Sequence, residues 1–93
     1  MELPQNYHAL HYRERKIVRL LYVARQRGRC YYCHASLTGP AAAAVLAKPV
    51  NRARFPPHFF VWPVHLHHDH TTGLTIGAVH SYCNAVLWQY HHE

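Results

Sequence analysis

Four of the chain's eleven histidines fall within six residues, His65-Leu66-His67-His68-Asp69-His70. Imidazole titrates near neutrality, so it can take a proton from water or, when neutral, ligate a divalent ion. From this cluster a Thr71-Thr72-Gly73 turn and a short apolar run, Leu74 to Val79, lead to His80-Ser81-Tyr82-Cys83-Asn84. Upstream, Cys30-Tyr31-Tyr32-Cys33 has the spacing to grip one ion from a tight turn, and His80-x-x-Cys83 repeats it with an imidazole in place of the first thiol. Cys30, Cys33, His80 and Cys83 would complete a Cys3His tetrahedron, a closed structural zinc site. The set uses all three cysteines, an odd number that no disulfide framework within one chain can absorb. Cys30-Tyr31-Tyr32-Cys33-His34 also matches the C-x-x-C-H attachment pattern of haem, but haem would leave His80-x-x-Cys83 without a purpose.

These residues need a frame. Ninety-three residues support a single domain, 1–93, whose modest core calls for a staple such as a metal ion. The pattern predicts a basic helix over 6–27, with Asn6 as N-cap, Gly28 at the position after the C-cap, and an apolar stripe of Leu10, Ile17, Leu20, Leu21 and Ala24. Residues 1–5 are expected to fray. The remainder, 28–93, is expected to hold a zinc-bound core interrupted by an insertion at 35–63. Within the insertion, Gly39-Pro40 could start a short helix through Ala41–Ala47, and Phe59–Trp62 is either a strand or a hydrophobic lid. A hairpin is predicted with strands at 64–70 and 74–79, followed by a helix from Ser81 that buries some of Val86, Leu87 and Tyr90. For His67 and His68 to serve one site, the first strand must end or bulge between them, because strict alternation puts neighbours on opposite faces. Asp69 is expected to support one of the histidines, and His91 and His92 to form a solvated tail.

The pattern H-L-x-H-D-H-x-x-G over His65–Gly73, a following metal-ligand pair with an Asn attached (His80, Cys83, Asn84), and the upstream Cys30-x-x-Cys33 together resemble the recombination endonuclease VII branch of the HNH nucleases. The resemblance runs from about Gly28 to Asn84. It implies an α+β fold, a small zinc-stapled ββα-metal (His-Me finger) domain here preceded by an N-terminal helix, and an enzyme that hydrolyses phosphodiester bonds of DNA. It further implies His68 as the general base, His67 and Asn84 as ligands of a catalytic divalent cation, and His70 as a residue that orients or polarises the phosphate. Many family members of this size come from bacteriophages and act in recombination or packaging. Three positions depart from the pattern: His67 stands where an Asp is usual, His80 replaces the usual third Cys, and Ile76 lies where Arg is frequent. An imidazole at 67 widens the expected cation from Mg²⁺ or Mn²⁺ to Zn²⁺ or Ni²⁺.

Ten Lys and Arg against four acids give a net charge of +6, and every one of the ten lies between Arg13 and Arg54. Such a block suits a polyanion, and Arg13, Arg15, Lys16, Arg19, Arg52 and Arg54 are the expected contacts to DNA phosphates. The alternative to a nuclease is a non-catalytic zinc-ribbon module that binds nucleic acid through the same arginines. A monomer or weak homodimer in a reducing cytoplasm (the host's, if phage-encoded) is expected, with no membrane segment.

Overall fold

The computed structural model describes residues 2–92; Met1 and Glu93 lie outside the described residues. It is a small α+β fold with elements in the order α1 (Tyr12–Arg25), α2 (Ala43–Leu46), β1 (Val64–His68), β2 (Thr75–His80) and α3 (Ser81–His91), plus single 3-10 turns at Tyr7–Ala9 and Arg52–Arg54. No helix among the described residues is long and apolar enough to cross a membrane.

The first helix starts later than expected, at Tyr12 rather than Asn6. Asn6 does cap, but it caps only the 3-10 turn, its side chain accepting from the His8 N–H at 3.0 Å. The backbone on either side is used elsewhere. Gln5 and Tyr7 bond to the hairpin through Thr75 N–H to Gln5 carbonyl (2.9 Å) and Tyr7 N–H to Gly73 carbonyl (2.8 Å), so Gln5 is docked, not frayed. A second cap then opens α1: the His11 ring accepts from the Arg13 N–H, and the Glu14 carboxylate accepts from the His11 N–H. At the far end the left-handed position after the cap is Arg27 (φ 57°), with Gly28 (φ 75°) one residue on. Arg27 N–H reaches Ala24 and Gly28 N–H reaches Val23, the paired bonds of a Schellman motif.

The face that α1 buries is also not the leucine stripe. Val18 and Tyr22 are buried with Leu10, whereas Ile17, Leu20, Leu21 and Ala24 are exposed. Val18 and Tyr22 are one turn apart, and Tyr22 can go inside because its hydroxyl finds Thr75, 2.9 Å from Oγ1 and 3.1 Å from the carbonyl oxygen.

β1 and β2 form a two-stranded antiparallel sheet. The register runs Val64↔His80 to His67↔Gly77, then shifts to His68↔Thr75, leaving Ile76 as the extra residue of a bulge beside His67 and His68. Gly77 is required by its neighbours: a Cβ there would lie 2.8 Å from Gln26 Oε1 and 2.9 Å from Tyr31 Cβ. Gln26 grips Ala78 as a neighbouring strand would, accepting from its N–H and donating to its carbonyl, both at 2.9 Å, while the Tyr31 N–H donates to the same carbonyl. The end of α1 and the cysteine turn are thereby fastened to β2.

α3 follows β2 directly and buries Val86 and Leu87, with Val86 in one core cluster with Val18 and Val79; Tyr90 is exposed, its hydroxyl donating to the Pro49 carbonyl. α2 is shorter than expected, beginning at Ala43. The stretch 59–62 is a turn rather than a strand.

Candidate metal centre and histidine cleft

Cys30, Cys33, His80 and Cys83 come together as a group whose ligand atoms all lie within 4.8 Å of one another. Cys30 and Cys33 sit on the tight turn after α1. His80 ends β2 and Cys83 lies in the first turn of α3, so the group ties the N-terminal half of the chain to the β2–α3 junction. The His80 Nε2–H donates to the Ser36 carbonyl at 2.8 Å, which turns Nδ1 inward to 3.5 Å from Cys33 Sγ and 3.6 Å from Cys83 Sγ. An outer hydrogen bond thus fixes the tautomer that a metal ligand requires. Backbone N–H groups of Tyr32 and Cys33 point at Cys30 Sγ, and that of Ala42 at Cys33 Sγ.

The electrostatics of the group point the same way. The Cys30 thiol is held down to about 4, by the Cys83 hydrogen bond first and then by backbone donors, against the opposing effect of burial. Cys83 is pushed far up, by its bond to Cys30, by burial and by the Cys30 charge. Sulfurs this close cannot all ionise unaided; a cation among them removes the conflict. The donor set, its spacing and its buried setting are compatible with a closed Cys3His zinc site. His34 is exposed with φ 66° and takes no part in it.

A second cluster lies along β1. His67, His68, His70 and Asn84 all line one cleft of about 590 Å³, whose walls also carry Arg15 and Arg19 of α1 and Arg54 of the insertion. The adjacent His67 and His68 border one cavity, as do Val64, His65 and Leu66 before them, and the extra residue at the register shift belongs to β2 rather than to β1. His67 is buried, at 4% exposure, and His70 is exposed.

His68 is sandwiched. The Tyr7 ring stacks on it at 3.9 Å and 7°, with His8 edge-on at 5.4 Å and His70 at 4.8 Å. The Arg15 guanidinium covers the other face of Tyr7 at 3.9 Å and bonds the Tyr7 carbonyl. Burial, then the charges of His70, His8, His67 and Arg15, hold the His68 imidazole down to about 4. It is therefore neutral, with a lone pair to offer, across the physiological range.

Asn84 is oriented by His65. The His65 Nε2–H donates to the Phe59 carbonyl at 2.8 Å, so Nδ1 is an acceptor, and Asn84 Nδ2 donates to it at 3.1 Å. That leaves the Asn84 carbonyl oxygen as the atom available to a cation. Burial, with Arg19 adding to it, keeps His65 below the ordinary imidazole range and hence neutral.

Asp69 serves the hairpin turn first, and the neighbouring His70 adds to the stabilisation of its charge. The Asp69 Oδ1 accepts from the N–H groups of Thr72 and Thr71, which hold its carboxyl below the usual carboxylate range and shape the hairpin turn. Of the expected phosphate contacts, Arg15, Arg19 and Arg54 face the cleft. Arg13 lies over Tyr12 and Arg52 over Phe60, while Lys16 is exposed outside the cleft lining. His91 and His92 end α3, exposed.

No family model, curated protein or solved structure matches this chain.

Two cleft residues escaped the sequence reading. His65 had a signal, since it lies two residues before His67 and so shares its strand face. Tyr7 had none: its contact with His68 spans most of the chain and depends on the N-terminal segment docking on the hairpin turn.

Proposed function

We propose that this protein is a metal-dependent DNA endonuclease of the ββα-metal type, in which a Cys3His zinc clamps a β1–β2–α3 unit carrying the active site. The observation that carries the reading is the convergence of His67, His68, His70 and Asn84 on one arginine-walled cleft. His67 and the Asn84 carbonyl oxygen would hold a divalent cation, which supplies positive charge to the scissile phosphate and to the leaving oxygen. His68, neutral under its Tyr7 cover, accepts a proton from the attacking water as the water oxygen bonds to phosphorus and the phosphorus–oxygen ester bond breaks. His70 at the rim donates a hydrogen bond to a phosphate oxygen. Arg15, Arg19 and Arg54 attract and align the strand. In a phage setting, such an activity would serve recombination or packaging.

The test is incubation of the zinc-loaded protein with supercoiled plasmid. Relaxed or linear DNA should appear with Mg²⁺ or Mn²⁺ and not without added cation. Retarded but uncut DNA at every cation tried would identify a zinc-ribbon binding module instead.

A further inference from the structure

The cleft contains more aromatic surface than phosphodiester chemistry needs. Trp62 is 67% exposed, Tyr12 65% and Trp88 38%, and all three line the same cavity as the histidines. They approach it from three different segments: Tyr12 begins α1, Trp62 lies in the insertion just before β1 and Trp88 lies on α3. Large rings left in water within one concave surface mark a surface that binds something. The charge of the walls says what: Arg15 and Arg19 flank the cleft, and the Arg54 guanidinium lies 4.8 Å over the Trp88 ring.

Aromatic rings interleaved with arginines suit an unpaired nucleic-acid strand. Each base of a single strand has a free π-face to stack, and the arginines follow its phosphates. In a duplex those faces are covered by neighbouring bases, and only the backbone could touch the rim. We infer that the cleft takes an unpaired DNA strand, with its bases on Trp62, Trp88 and Tyr12 and its phosphates on Arg15, Arg19 and Arg54. The inference rests on the nuclease reading for the choice of DNA and refines it to a substrate with an unpaired segment at the cut.

The chain offers its own reporter, since Trp62 and Trp88 are its two tryptophans and both line the cleft. The intact zinc-loaded protein is titrated, without added Mg²⁺ or Mn²⁺, with oligothymidylate and with a hairpin duplex of equal phosphate number. Oligothymidylate should quench tryptophan emission and bind at least about tenfold more tightly than the duplex. Trp62→Ala and Tyr12→Ala, both at exposed positions, should each weaken oligothymidylate binding about 5- to 100-fold with little effect on the duplex. Arg19→Ala should weaken both and flatten the salt dependence. Equal or tighter duplex binding, binding without quenching, or unchanged affinity in both aromatic variants would overturn the inference. Because no catalytic cation is present, the two readings separate: quenching by oligothymidylate in a protein that never cuts DNA sustains the inference and removes the nuclease. Cation-dependent cutting of fully paired DNA without selective single-strand binding does the reverse.

Discussion

The metal group and the histidine cleft are built on one hairpin with opposite surroundings. At the His80 end of β2, four ligand atoms are drawn together, backbone N–H groups aim at the sulfurs and His80 Nε2 is committed to Ser36. At the other end, His67 and His68 of β1, His70 of the turn after it and Asn84 of α3 are spread along a cavity between basic and aromatic walls. In the first region every contact tightens a closed cluster. In the second the contacts orient groups toward a space: His65 turns the Asn84 amide, and Tyr7 pins the His68 ring. A closed donor set suits a structural ion, while an oriented, open one suits a substrate and an exchangeable ion.

The contrast can be broken first at the metal group, where the expected effect is largest. Binding free energy of a structural zinc is on the order of 10–16 kcal/mol and acts as folding energy in domains this small. The protein should carry about one zinc per chain, and stripping it with a chelator should abolish the cooperative thermal transition seen by circular dichroism. Cys83→Ser should be unfolded or insoluble, whereas substitutions in the cleft should keep their zinc. A zinc-free protein with an unchanged melt would remove the distinction.

An intermediate effect is expected where the two regions share β2. Gly77→Ala places a methyl group against Gln26 and the Tyr31 Cβ, and should cost about 1–3 kcal/mol. Urea denaturation at constant zinc reads this directly. In the cleft, His65→Ala should retain fold and zinc but reduce cleavage about 10- to 100-fold, partly recovered by excess Mn²⁺, because Asn84 loses the partner that orients it. Unchanged cation dependence would show that Asn84 needs no such partner.

The smallest effect is a pH dependence. Folded His68 is held to about 4 against an ordinary 6.5, by burial first and neighbouring charge second. The unfolded chain takes up a proton as pH falls through 6.5 and the folded chain does so only near 4, so stability is lost as pH falls across that window. Melts at pH 7 and pH 5 should show a larger loss for the wild type than for His68→Ala. Protonation of the zinc ligands is common to both proteins and cancels in the comparison.

How far the sequence reveals the molecule divides along the same line. The metal group was legible because its ligands come in two local pairs, Cys30-x-x-Cys33 and His80-x-x-Cys83, whose chemistry leaves few alternatives. The hairpin and α3 were legible from the turn at Thr72-Gly73 and the apolar run before His80. The start of α1 and its buried face differ from the pattern for two physical reasons: the N-terminal segment spends its backbone bonds on the hairpin, and Tyr22 goes inside in place of the leucines because Thr75 satisfies its hydroxyl. Tyr7 over His68 and the assembly of Tyr12, Trp62 and Trp88 around one cavity depend on contacts between distant segments, which local patterns do not encode.

The most direct test of the central claim compares wild type with His68→Ala, at equal zinc content and equal DNA affinity, in plasmid cleavage over a range of Mg²⁺ and Mn²⁺ concentrations. A positioned general base contributes about 10²–10⁴-fold, and no cation concentration replaces a proton acceptor. The variant should therefore cleave slower by about that factor throughout the titration. Cleavage by His68→Ala near the wild-type rate, with contaminating nuclease excluded, would contradict the account.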